Sequence, residues 1–302
     1  MDIMPVLFVL SFISGIMIGG NCTYVMAAPF GAGVISRKRA LLFYALFIFL
    51  GAVLAGKGVA QNLNKNLIGA IDPMLGAVAL ISLLICVLIA NLVKVPLSTS
   101  EMSTGAIAGI GIFFGSLISR SLLDFYASWI VGAFICFFIS YASTRAFELK
   151  TPRIPYKKAL LIAVGCFFAF SMGANNVGNS VFPLLGTISI PFALFFGGIS
   201  LIAGGFIFSG RTMEKLGKDV TEIDAVSGLF SSLVAAVALM AMSFMGLPAP
   251  AAHFYTMSLF GVGAAKGRGK VSLRAIAQII AIWIISPVLS IGLSYGIMTL
   301  LY

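Results

Sequence analysis

Charge is scarce in this 302-residue chain: nine per cent of its residues are Asp, Glu, Lys or Arg, against sixty per cent apolar. A soluble protein of this size needs far more charge to cover its surface, so a cytosolic enzyme is hard to sustain and a membrane-embedded chain is implied. Histidine occurs once, at His253, which removes His-rich metal centres such as HExxH; a GxSxG nucleophile elbow is also missing. The expectation is a protein that is not an enzyme. The four cysteines, Cys22, Cys86, Cys136 and Cys166, lie in apolar runs without CxxC spacing. They read as small core residues, so neither a zinc site nor a disulfide framework is expected, and no metal or cofactor. No GxxxxGK[ST] loop occurs, which excludes a self-contained ATP-driven pump. The first apolar run has no basic segment before it and carries Asp2, so it reads as a retained span and not a cleaved leader.

What remains is long apolar runs. Ten are found, at 3–30, 40–56, 74–93, 106–122, 127–143, 159–186, 188–208, 228–246, 254–265 and 275–302. The ninth is too short to cross alone and is expected to borrow the residues before it. With Arg37, Lys38 and Arg39 on the cytoplasmic side and one crossing per run, only Lys57, Lys65 and Arg120 of the nineteen Lys and Arg residues fall outside. That asymmetry follows the positive-inside rule, and it places both termini outside the cell membrane. The net charge of +10 is thereby explained by orientation in lipid, and no nucleic-acid partner is expected.

The chain also repeats itself. GGNCTYVMAAPF (19–30) aligns with GANNVGNSVFPL (173–184), pairing Asn21 with Asn175 and Pro29 with Pro183 at an offset of 154. VPLSTSE (95–101) aligns with LPAPAAH (247–253), pairing Pro96 with Pro248 and Gly109 with Gly261 at an offset of 152. Five spans per copy is an odd number, so the second copy enters the membrane from the opposite face. The expected fold is therefore an all-α polytopic membrane protein of about ten transmembrane helices in two inverted repeats, with helices broken near the midplane. The first repeat covers 1–143, a basic cytoplasmic linker 144–158, and the second repeat 159–302. Paired interruptions of this kind mark the substrate site of secondary transporters.

A helix broken inside lipid frees backbone N–H and C=O groups that only protein, water or a ligand can satisfy. Freed N–H groups at a half-helix start favour an anion. Asn175 and Asn179, four apart, are expected to share a helical face and offer amide donors to one ligand. Ser98, Thr99 and Ser100 place hydroxyls beside the start of the next helix; an ordinary N-cap is the alternative. Glu101 and His253 occupy equivalent positions, since 253 minus 101 is 152. They are expected to approach each other across the pseudo-two-fold and to carry or gate a coupling proton or cation, with simple helix capping as the alternative.

MGANNVGNSVFPL resembles the GANDVANA-type signature of the inorganic phosphate transporter family, and VPLSTSE and GLPAPAAH look like its paired Pro-hydroxyl signatures. GKDVTEID (217–224) is similar to the loop after the second signature. The resemblance runs over nearly the whole chain and implies an ion-coupled symporter for a tetrahedral oxyanion. It carries anion binding to Asn21, Asn175, Asn176 and Asn179, and to Ser98, Thr99 and Ser100. The signature aspartate is Cys22 in the first copy and Asn176 in the second, and the second hydroxyl triplet is Pro250, Ala251 and Ala252. Without those carboxylates, sodium coupling of the family type loses its hard-oxygen ligands, and Glu101 becomes the coupling acid. A site of uncharged donors leans toward sulfate, which is fully deprotonated, while the family as a whole favours phosphate. STSE with the altered second triplet also looks like the sulfate-permease branch. The alternative function is a passive anion channel on the same scaffold; lipid and a possible homo-oligomer complete the expected partners.

Overall fold

The computed structural model describes residues 3–65, 67–69, 71–93, 98–148, 157–221, 225–267 and 273–302. Pro96, residues 149–156 of the expected linker and residues 222–224 of GKDVTEID lie outside the described residues, as do Lys94, Arg268 and Lys270.

The described chain is helical. In order, α1 spans Met4–Cys22, α2 Ala27–Gly31, α3 Arg37–Ala55, α4 Lys57–Lys65, α5 Pro73–Val93, α6 Thr99–Phe113 and α7 Ser119–Glu148. Then come α8 Lys157–Asn176, α9 Gly178–Val181, α10 Ile190–Thr221, α11 Ala225–Phe244, α12 Ala251–Ala265 and α13 Leu273–Leu301. Local chemistry sets several starts. Asp72 Oδ1 accepts from Met74 N (2.8 Å) and Leu75 N (3.0 Å) at the head of α5, with Pro73 as its first residue. Gly115 and Gly246, with φ of 65° and 72°, supply the left-handed turns that lead out of α6 and into the approach to α12.

Eight helical stretches are long and apolar enough to cross a membrane, so the chain is a multi-pass membrane protein. Their outward faces carry large apolar side chains such as Leu54, Phe138, Ile207 and Val288. The apolar runs expected at 106–122 and 254–265 take a different form. The first is α6, starting seven residues earlier, then a break at Phe114–Ile118 before α7. The second is part of α12, which takes in Ala251–His253 before it, as expected, and is separated from α11 by Met245–Pro250. Both helices have 15 residues, about 22 Å of rise, short of a hydrocarbon core of about 30 Å. Their first turns are therefore inside the protein.

The helices interleave. α1 packs on α10, α8 on α3, α6 on α13 and α12 on α7. Glycines make the closest approaches: a Cβ on Gly51 would overlap Phe170 O of α8, and one on Gly204 would overlap Ile16 O of α1. A Cβ on Gly109 would meet Ile291 O of α13, and one on Gly261 would meet Phe137 O of α7. Phe170 and Ile16 are 154 apart in sequence, as are Ile291 and Phe137. Each contact thus has a counterpart at the repeat offset. Direction also differs between the counterparts. After α1, Met26 and Pro29 lie against Gly165, midway along α8. After α8, Phe182 accepts from Asn64 and Pro183 lies against Gly76, at the other end of the bundle.

Candidate functional site

The regular helix of α8 ends at Asn176, and that of α1 ends 154 residues earlier at Cys22. Around the first of these breaks the structure gathers a buried polar network. Thr99 Oγ1 donates to Asn176 Oδ1 at 3.1 Å, Asn179 Nδ2 to Ser100 Oγ at 3.2 Å and to Asn176 Oδ1 at 3.4 Å, and Ser100 Oγ to Ala249 O at 3.0 Å. The starts of α6 and α12 thereby meet, and each leaves its first N–H groups without an intrahelical acceptor. Beside them Glu101 Oε1 lies 3.1 Å from His253 Nε2. Glu101 and His253 approach each other as expected from their equivalent positions.

The asparagines divide by role. Asn175 Nδ2 donates to Ser243 Oγ (3.1 Å) and Leu247 O (3.0 Å), while its Oδ1 accepts from Ala249 N (2.9 Å). Backbone partners of both kinds fix which way this amide points. Asn176 is fixed likewise, donating to Met172 O at 3.2 Å. Asn179 bonds to Asn176 and not to Asn175, although spacings of three and four both suit one helical face. Asn175 turns instead to the segment leading into α12 and shapes it. The hydroxyls of Thr99 and Ser100 are rotors, free to re-aim at a ligand, and Asn179 Oδ1 is buried without a partner.

Two expected residues stand apart. Ser98 is buried at the start of α6, and its hydroxyl does not cap the helix. Asn21 is half-buried at the end of α1 and takes no part in the described network. Gly15 faces Ser180, and Asn21 is six residues further along α1, about 9 Å. The segment equivalent to Asn175's partners, near 95–97, lies outside the described residues.

Sequence reasoning missed the two tryptophans. Trp129 Nε1 donates to Pro248 O at 2.6 Å, and Trp283 stacks on His253 with ring centroids 4.0 Å apart. They are the only tryptophans in the chain and are 154 residues apart, a signal the repeat offset already contained.

Asn175→Ala removes the partner of Ala249 N and of Leu247 O at once. Two orphaned backbone groups at about 1–3 kcal/mol each are expected to lower the melting temperature in detergent by several degrees. An unchanged melting curve would contradict the role given to this amide.

The sequence model of the Phosphate transporter family matches residues 21–153 and 149–294. The chain belongs to that family. Among its relatives is the sulfate permease CysP of Bacillus subtilis (strain 168), 30% identical over 312 residues, covering 99% of this chain and 88% of the relative. A solved structure titled the sodium-dependent phosphate transporter superposes with a TM-score of 0.89 at 23% identity, over 100% of this chain and 99% of the other. That likeness establishes the fold. In this phosphate transporter family member, the network above occupies the break that carries MGANNVGNS and the start that carries STSE.

Proposed function

We propose that the chain is a secondary permease that imports an inorganic tetrahedral oxyanion, phosphate or sulfate, across the cell membrane on an ion gradient. Two inverted five-span copies form it, with both termini outside. The reciprocal helix contacts and opposed chain directions support that arrangement. The observation that carries the reading is the meeting of the α6 and α12 starts over Thr99, Ser100, Asn176 and Asn179, all buried. Unpaired N–H groups at a helix start favour an anion, and hydroxyl rotors can replace its hydration. Asn175 and Asn176 hold the shape, Asn179 and the hydroxyls face the anion, and Ser98 and Asn21 flank the pocket. Sulfate is the anion we favour, because the donors are neutral and the positions of the family aspartates are Cys22 and Asn176; the relation to CysP supports the same choice.

Purified protein in liposomes, offered radiolabelled sulfate or phosphate with pH and sodium gradients varied separately, tests this. Concentrative uptake is expected, which a passive channel cannot perform. Ser100→Ala and Thr99→Val each remove a hydroxyl donor to a charged ligand, about 1.5–3 kcal/mol, and are expected to reduce uptake about 10- to 100-fold; Ser100→Ala also leaves Ala249 O without its donor and is expected to lower the melting temperature by a few degrees. Full uptake in both variants would place the anion elsewhere.

A further inference from the structure

One acid and one base are buried among the described residues, and they touch. Glu101 Oε1 and His253 Nε2 are 3.1 Å apart, with side chains 2% and 7% exposed. Their equivalent sequence positions put the contact on the seam between the two copies. At this separation one hydrogen lies between the two atoms: with it on Nε2 the neutral imidazole donates to a carboxylate and the pair carries one negative charge, and with a second proton on the pair the charge is gone. Glu101 Oε2 is buried without a hydrogen-bond partner. Ser286 of α13 is beside the carboxylate, and its hydroxyl is equally unpartnered, as is that of Thr104 one turn along α6. Other groups facing the pair are Trp283 from α13 and Tyr126 from α7. Among the residues whose side-chain burial the structure describes, no lysine or arginine is buried.

We propose, on the permease reading above, that the Glu101–His253 pair is the seat of a coupling proton, loaded together with each oxyanion and released with it. The added proton goes to Glu101 Oε2, donating toward Ser286 Oγ, or to His253 Nδ1, and the pair becomes neutral. An anion at the Ser100 hydroxyl is one residue away. Its charge opposes the negative pair and favours the neutral one, raising proton affinity on the order of tenfold to a hundredfold at that range. By reciprocity the proton raises anion affinity by the same factor. A hard cation fits less well. It takes about six oxygen ligands, whereas the imidazole occupies Oε1 and leaves one carboxylate oxygen and neighbouring hydroxyls.

The test uses the full chain in liposomes with sulfate as the probe. Wild-type protein is expected to concentrate sulfate when the outside is acidic, and not under a sodium gradient. Glu101→Gln is expected to lose that accumulation at least about tenfold while still exchanging labelled for unlabelled sulfate at equal concentrations, a reaction without net proton movement. In weakly buffered detergent solution, wild-type protein takes up about one proton per bound sulfate and Glu101→Gln takes up none. His253→Gln, expected to lose accumulation in the same way, supplies the second variant should Glu101→Gln fail to fold. Sodium-driven accumulation by the wild type, or proton-driven accumulation in both variants at the wild-type level, overturns the inference and leaves the permease intact. Absence of any exchange in the wild type, with sulfate and phosphate alike, removes the permease reading itself.

Discussion

Asn176→Asp is expected to reduce oxyanion uptake by about a hundredfold or more. The side-chain oxygen at this position is 3.1 Å from Thr99 Oγ1, so an anion held by that hydroxyl comes within about 5–6 Å of any charge placed there. At an effective dielectric constant near 20, two like charges at that distance repel by about 3 kcal/mol, and a doubly charged anion by more. The substitution also turns an acceptor toward Met172 O, where the amide now donates. Asn176→Ser separates the two effects, since it removes the amide without adding charge; about a tenfold loss is expected from it. Initial rates at several anion concentrations measure both. Wild-type kinetics in Asn176→Asp would mean that the anion does not pass Thr99.

Gly173→Ala is expected to yield no correctly folded protein. A Cβ on Gly173 would overlap the backbone carbonyl of Ile48 in α3 and crowd Ala52 N, and backbone cannot swing aside as a flexible side chain can. Separating the helices to make room would open the contact along its length and carry Asn175 and Asn176, two and three residues further on, away from their partners. Gly292→Ala is the matched control: a Cβ there meets nothing within 4 Å, and the change is expected to be neutral or stabilising by up to about 1 kcal/mol. Size-exclusion profiles and melting curves of the two proteins in detergent check the contrast. A monodisperse Gly173→Ala protein that melts with the wild type would show that the α3–α8 contact is looser than described.

Long apolar runs carried much of this fold because lipid imposes them. A spanning helix must be long and apolar, and a landmark such as Asn175 or Gly109 returns at its offset whatever surrounds it. The start of α6, marked by the hydroxyls of Ser98–Ser100, lies outside the apolar run at 106–122 for a physical reason. Ser98–Ser103 is polar, and the run of apolar residues begins only afterwards, yet the segment is helical because protein encloses it: Ser290 Oγ donates to Met102 O, and Ser103 Oγ to Thr99 O. Hydropathy registers transfer into lipid, not burial among partners. α4 escaped for a similar reason, being short and amphipathic, with Asn62 and Asn64 reaching Gly246 O and Phe182 O. At the site, residue types announced a donor-rich pocket, and the Glu101–His253 approach followed from the offset alone. That Asn175 holds the segment leading into α12 did not follow, since it answers to Ser243, Leu247 and Ala249 more than sixty residues away.

The interleaving of the halves bears on ancestry. Because α1 rests on α10 and α8 on α3, each half lends its leading helix to the other, and neither encloses that helix alone. On the two-copy reading, a forebear of half the length was never a working monomer. Such a forebear would pair two short chains inserted both ways up, and fusion of its genes would fix one orientation for each copy. Only then would the copies be free to diverge, one keeping the hydroxyls of its Pro-hydroxyl segment and the other the amides of its broken helix.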